Sequence, residues 1–188
     1  AATDGRAHVV DAMVRGATAC LVEQAGVEAF AFEGDHMAAL PGLKAATGPI
    51  AAEWFAQPTQ QLKVLAVTGT NGKTSLTYML KHIFETEGKK CGLIGTIHNL
   101  IGDQVVDNRG RTTPESLEVQ EIINEMKERG CSHLFMEVSA HGLALDRVNG
   151  VEFDYGIFTN LTQDHLDFHK TMENYVAAKA KLFQSLTA

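Results

Sequence analysis

The sequence predicts an α/β protein: a mostly parallel sheet flanked by helices, preceded by part of a smaller α/β unit. Three observations carry that prediction. From residue 62 onward short apolar runs alternate with amphipathic helical patterns, a glycine-rich turn joins the first run to the first helix, and composition shifts only once, at Gln57-Pro58-Thr59-Gln60-Gln61. With 188 residues, 45% hydrophobic and 21% charged, the chain can bury a core, which excludes disordered, collagen-like and low-complexity classes.

Residues 1–56 read as an incomplete α/β unit. Ala7–Arg15 has the pattern of a short helix closed by Gly16, and Ala17–Glu23 that of a strand. Asp35–Phe55 is Ala-rich and reads as helix, broken at Pro41, Gly42, Gly48 and Pro49. Residues 57–61 form a polar linker in which Pro58 stops the preceding pattern. In the second domain, 62–188, Leu62–Val67 is a buried strand. Thr74–Glu87 is a helix with Leu76, Leu80, Ile83 and Phe84 on one stripe. Cys91–Ile97 is the next strand, and His98–Arg111, with Gly102-Asp103 at its middle, has the form of a hairpin. Thr113 as N-cap and Pro114 at the first helical position open a helix whose body, Glu115–Arg129, ends at Gly130. Leu134–Val138 and Tyr155–Thr159 are strands, Ser139–Arg147 is a surface loop, and Met172–Leu186 is a closing helix.

Charge and cysteines narrow the function. The net charge of −7 is acidic in both parts of the chain, against a nucleic-acid binder. Cys20, Cys91 and Cys131 form no CxxC pair, so neither a disulfide framework nor a zinc site is expected, and a reducing cytoplasm is the simplest setting. There is no apolar run of about 18 residues and no secretory leader, so membrane and secreted readings fall away. The sequon Asn160-Leu161-Thr162 is then incidental. A first residue other than Met and a helical pattern that runs to the end lead us to expect a segment of a longer protein.

The chemistry gathers at strand ends. Val67-Thr68-Gly69-Thr70-Asn71-Gly72-Lys73-Thr74 sits between strand and helix in the manner of a P-loop, with Val67 where the usual pattern has its first Gly. Such a loop aims backbone N–H groups and a helix N-terminus at phosphates, while Lys73 neutralises them and the Thr74 hydroxyl reaches Mg²⁺. Glu137 ends an apolar strand at the same edge, which suits a Mg²⁺ ligand. Asp164-His165-Leu166-Asp167 follows another strand; Mg²⁺ prefers oxygen, so the residues alone leave His165 open between ligand and solvated side chain, and His169 has a weaker claim. Lys179 falls on the stripe of Met172, Tyr175, Val176, Leu182, Phe183 and Leu186, whereas Lys181 is rotated about 200° toward water. Either Lys179 snorkels, or burial lowers its pKa so that the neutral amine can add CO₂ as a carbamate. Arg147 is open between a rim ion pair and a fork for a substrate carboxylate or phosphate.

The combination of TGTNGKT (68–74), TTPES (112–116), MEVSAHGLALDRV (136–148), FTNLTQDHLDFH (158–169) and MENYVAAKAKLF (172–183) resembles the Mur ligase family, most closely its MurE type, the UDP-N-acetylmuramoyl-tripeptide synthetases. Thr3-Asp4-Gly5-Arg6 with Ala12–Ala17 is similar to the latter part of that family's UDP-sugar-binding N-terminal domain. The resemblance implies an ATP- and Mg²⁺-dependent ligase that adds a third amino acid, diaminopimelate or lysine, to UDP-N-acetylmuramoyl-L-alanyl-D-glutamate through an acyl phosphate. By it, Gly69, Thr70, Asn71, Gly72, Lys73, Thr74 and Ser75 hold ATP. Thr74, Glu137 and His165 hold Mg²⁺, Lys179 is carbamylated, and Thr112, Thr113, Ser139 and Arg147 grip the muramoyl peptide. Leu145 stands where some members have Gln, and Ala140 where Ser is common. The family's C-terminal domain is absent from the chain, so this segment alone is expected to be inactive; a monomer without nucleic-acid or membrane partners is expected. Three other readings share the loop: a folylpolyglutamate synthase, whose usual sequence lacks the TTP and EVS-x-HGL pair, a GTPase-like switch, for which no NKxD is present, and a non-catalytic nucleotide-binding fragment.

Overall fold

Side-chain alternation decides which residues face the sheet, and the computed structural model shows where each pattern ends. It describes residues 4–32, 34–107 and 110–186. Thr3 of the N-terminal segment, Asn108 and Arg109 of the expected hairpin, and Thr187 and Ala188 at the end of the last helical pattern lie outside the described residues. The chain forms two compact units, Ala1–Thr47 and Gly48–Ala188.

In the first unit the Asp4 carboxylate accepts from the Arg6 N–H at 3.0 Å and opens a 3-10 turn, Gly5–His8, that runs into α1 (Val9–Val14). Gly16, at φ 101°, closes that helix with a backbone conformation other residues resist. β1 (Cys20–Glu23) pairs parallel with β2 (Met37–Leu40). β2 corrects the helix expected over Asp35–Phe55: Met37–Leu40 has a helix former's composition, but the ladder to β1 holds it extended. α2 (Leu43–Trp54) starts where the Glu23 carboxylate accepts from the N–H groups of Gly42 at 3.1 Å and Leu43 at 2.8 Å. Gly48 and Pro49, already in the second unit, lie inside α2 and do not break it. An internal proline costs about 3 kcal/mol, so packing outweighs it. The missing Cβ of Gly48 permits that packing, since the Asn149 carbonyl oxygen comes within 1.9 Å of where the atom would stand.

The second unit begins ahead of the segment read as a linker, and residues Pro58–Gln61 form a 3-10 turn with Pro58 and Thr59 buried. Its sheet contains β3 (Lys63–Thr68), β4 (Cys91–Ile94), β5 (Asn99–Ile101), β6 (Gln104–Asp107), β7 (His133–Glu137) and β8 (Tyr155–Phe158), in the order β6-β5-β4-β7-β3-β8. β4, β7, β3 and β8 are parallel, as expected, and β5 and β6 complete an antiparallel hairpin. The register sets Val67 beside Glu137 and Thr68 beside Phe158. Three carboxyl ends therefore come level at one rim, which is where ligands of such sheets sit.

Helices complete the unit with small corrections. α3 (Lys73–Thr86) buries Thr77 and Lys81 and packs Leu80 and Phe84 on the sheet. That face follows the i, i+3, i+4, i+7 spacing from Thr77, so Ile83, expected on the stripe, is exposed. α4 (Ser116–Glu128) starts later than expected, because its N-cap is Glu115, whose N–H donates to the Glu118 carboxylate at 3.1 Å. α5 (Ala140–Ala144) replaces the expected loop, since the Ser139 hydroxyl caps it by accepting from the Gly142 N–H at 3.0 Å. α6 (Leu166–His169) and α7 (Met172–Gln184) follow. The buried face of α7 is Tyr175, Ala178, Lys179 and Leu182, while Val176 and Phe183 are partly exposed, so the true stripe is rotated from the expected one. Among the described residues no helix is long and apolar enough to cross a membrane.

Candidate active site

The glycine-rich loop joins β3 to α3 as the spacing predicts, and the first charged group it meets is Glu137, fully buried at the tip of β7. A buried carboxylate needs donors. Among the described residues Glu137 has three: the Thr74 hydroxyl donates at 2.9 Å, the Thr96 hydroxyl at 3.0 Å and the Thr96 N–H at 3.0 Å. Gly95 makes room for them, because a Cβ there would lie 2.4 Å from Glu137 Oε1.

Two lysines converge on one carbonyl. Lys73 Nζ donates to the Gly69 carbonyl at 2.9 Å and to that of Thr70 at 2.8 Å, and Lys179 Nζ donates to the same Gly69 oxygen at 2.8 Å. Lys179 is only 3% exposed, and its ammonium lies 4.4 Å from the centre of the Tyr175 ring. Burial, and next the neighbouring Lys73 charge, push its pKa down to about 8. Burial also lowers Lys73, against the pull of Glu137 and Asp164. The snorkelling account of Lys179 is thereby excluded, since the amine ends at the loop and not in water.

The other expected residues divide. Thr112 Oγ1 lies 3.0 Å from the Thr96 hydroxyl, on the Glu137 side of the rim. Thr113 is buried, and its hydroxyl lies 3.2 Å from the Glu137 carbonyl, 3.1 Å from the Ser139 hydroxyl and 3.0 Å from the Ser139 N–H, which donates to it. These bonds draw Thr113 away from the capping role expected of it. Arg147 pairs with Glu115 at 3.0 Å and donates to the Thr113 carbonyl at 3.2 Å, while its buried Nε has no partner among the described residues. Ser75 is exposed on the first turn of α3. His165 sits at φ 53° with its side chain 52% exposed, 3.5 Å from an Asp164 carboxylate oxygen and edge-on to His141 at 5.0 Å. Among the described residues no hydrogen bond joins it to Glu137 or Thr74, and no three His, Cys, Asp or Glu side chains gather as a metal-holding group. Hydroxyl and carboxylate oxygens such as those of Thr74 and Glu137 nevertheless fit the donor preference of Mg²⁺.

The sequence reading assigned no role to Gly95-Thr96 or to Thr159, Asn160 and Thr162, all of which contact site residues. Their shared signal is position, immediately after an apolar strand.

This fold, with its loop at the rim of a parallel sheet, places the chain among the phosphate-loop α/β domains. Residues 67–188 match the Mur ligase middle domain, and the chain belongs to the Mur ligase family. It is 50% identical, over 190 residues, to the UDP-N-acetylmuramoyl-L-alanyl-D-glutamate–2,6-diaminopimelate ligase of Acidovorax sp. (strain JS42), covering 97% of this chain and 38% of that protein. It is 46% identical to the ligase of the same name from Caldanaerobacter subterraneus subsp. tengcongensis, covering 97% and 37%. Among solved structures, a ligase again of that name aligns with TM-score 0.78 and 29% identity over 96% of this chain and 35% of its own. MurF ligase from Thermotoga maritima in complex with ADP, at TM-score 0.62 and 17% identity over 97% of this chain and 38% of that one, shares the fold alone. The chain thus spans well under half the length of the curated relatives it matches.

Proposed function

We propose that the chain is the phosphate-loop part of a cytoplasmic, monomeric ATP-dependent ligase. The whole protein would add diaminopimelate, with lysine the alternative, to UDP-N-acetylmuramoyl-L-alanyl-D-glutamate in peptidoglycan precursor synthesis. The observation that carries the reading is the joining of Thr74 to buried Glu137 at 2.9 Å, with Lys73 and Lys179 both at Gly69. The names of the 50% and 46% identical relatives support the muramoyl dipeptide and diaminopimelate as substrates. Residues 1–56 would belong to the domain that holds the UDP end.

In this reaction a carboxylate of the dipeptide attacks the γ-phosphorus of ATP, and the bond from that phosphorus to the bridging oxygen breaks, giving an acyl phosphate and ADP. The amine of the third amino acid then adds to the acyl carbon. Phosphate leaves from the tetrahedral intermediate as the amide forms, and the amine loses a proton. Such chemistry needs alignment and charge neutralisation more than covalent help from the protein. Lys73 would turn from the Gly69 and Thr70 carbonyls to the phosphates, offsetting the repulsion between two anions. Thr74 and Glu137 would hold Mg²⁺, with His165 as the further donor the resemblance implies; when bound, that ion supplies positive charge along the phosphates. A Lys179 carbamate would present an anion to the same loop. Thr113 and Ser139 are bonded to one another, so direct contact with the dipeptide would fall first to Thr112 and Arg147.

The full-length protein carrying this chain, incubated with ATP, Mg²⁺, the dipeptide substrate and diaminopimelate, is expected to release ADP in step with the UDP-muramoyl tripeptide, followed by a coupled assay and mass spectrometry. ADP release without amide, or no turnover with diaminopimelate or lysine, overturns the reading.

A further inference from the structure

The glycine-rich loop is tied to the segment after β8 by more hydrogen bonds than a turn requires. Thr159 Oγ1 donates to the Asn71 carbonyl at 2.7 Å. The Asn160 side chain grips the same residue twice, Oδ1 accepting from the Asn71 N–H at 3.0 Å and Nδ2 donating to the Asn71 carbonyl at 3.0 Å. The Asn160 carbonyl accepts from the Thr70 N–H at 2.9 Å. The Thr70 hydroxyl accepts from the Thr162 N–H at 3.0 Å and donates to the Thr162 carbonyl at 3.1 Å. Gly69 is pressed against this strap: at φ 139°, a Cβ would come within 1.9 Å of Thr159 Oγ1.

The strap divides the amides that a phosphate loop can offer an anion. Thr70 and Asn71 use theirs on Asn160 and cannot serve a phosphate unless the strap opens. Lys73, Thr74 and Ser75 begin α3, and no helical carbonyl reaches their N–H groups. We propose that Thr159 and Asn160 are positioning residues, which hold the Thr70-Asn71 turn shut so that polyphosphate is received by the first turn of α3 and not by that turn. The proposal rests on the ATP reading above and refines which part of the loop carries it. It also revises the expected roles of Thr70 and Asn71, which become structural partners of the strap. Because the strap leads directly into Asp164 and His165, one segment sets both the loop's shape and the place of that histidine.

The test compares variants that keep or remove one atom. Thr159→Ser keeps the hydroxyl donor, and Thr159→Val removes it at nearly constant volume. Asn160→Asp keeps an acceptor for the Asn71 N–H but replaces the amide donor with a carboxylate facing the Asn71 carbonyl. Affinity of the full-length protein carrying this chain for ATP with Mg²⁺ is measured by calorimetry, beside the melting temperature without nucleotide. Thr159→Val and Asn160→Asp are expected to weaken ATP binding about tenfold or more, the scale of one or two lost hydrogen bonds. Thr159→Ser is expected to stay within about twofold of the native chain, as mild substitutions do. Rescue by serine at an unchanged melting temperature marks positioning, because a loss of general structure would move both readouts. If the native chain binds ATP and Thr159→Val matches it, or Thr159→Ser is as weak as Thr159→Val, the strap proposal alone is overturned. If the native chain binds no ATP, the functional reading falls and takes the strap with it.

Discussion

The two faces of the parallel sheet differ in what covers them. One buries Val64, Ala66, Ile94, Leu134 and Met136 beneath Val119, Ile123 and Met126 of α4, a helix that also buries Ser116 and Gln120. The other buries Leu65, Cys91 and Phe135 beneath Leu80 and Phe84 of α3, with Thr77 and Lys81 among the buried residues of that helix. A fully buried aliphatic or aromatic side chain contributes about 1.5–3 kcal/mol, so the α4 face supplies most of the apolar stabilisation. α3 opens from the phosphate loop, and its first turn is set by polar contacts such as Thr74 to Glu137. The polar contacts that shape the first turn of α3 therefore lie on the thinner apolar face of strands that alternate their side chains between the two.

That division can be broken from either side. The largest effect is expected from Ile123→Ala, which empties a fully buried site on the α4 face: a loss of about 2–5 kcal/mol in denaturant unfolding, with ATP affinity of the folded chain unchanged. A parallel loss of affinity would show that the faces are not separable. Lys73→Met should do the reverse, weakening ATP binding about ten- to hundredfold, as expected for a charged hydrogen bond to phosphate, while the unfolding midpoint barely moves. Leu80→Ala tests the thinner face. Because Leu80 is only partly buried, its cost should be about 1 kcal/mol, below the usual range for a buried leucine, and a cost equal to that of Ile123→Ala would contradict the comparison.

The smallest effect concerns a pH titration at Lys179. With a pKa near 8, lowered by burial and then by Lys73, its amine is a cation below that pH and neutral above it. Only the neutral form adds CO₂, so a carbamate resonance from ¹³C-bicarbonate should grow from about pH 7 to about pH 9 and be missing in Lys179→Met. A signal of the same size in Lys179→Met would place the modification elsewhere.

Much of this was legible along the chain. Leu134–Met136 and Val64–Val67 are apolar without interruption because both faces of those strands are covered, and that signal needs no partner to be read. Lys179 could be singled out because a charged residue among Tyr175, Val176, Leu182 and Phe183 violates the helical pattern. Met37–Leu40 could not be read correctly, because its extended form depends on hydrogen bonds to Cys20–Glu23. Thr113 was misplaced as a helix cap for a similar reason: a local pattern offered it one role, and the arrival of Glu137 and Ser139 beside it imposed another. The strap was invisible because Asn160 and Asn71 are far apart in sequence and meet only through the register of β3 with β8.

Local order thus determined the alternation of strands and helices, the place of the glycine-rich loop and the family likeness, because hydrophobic period and turn chemistry act between near neighbours. The three-dimensional fold decided which amides of that loop remain open, which carboxylate Thr74 meets, and that Lys73 and Lys179 share one carbonyl. Those choices depend on strand register, and register is an agreement between distant segments that neither of them encodes alone.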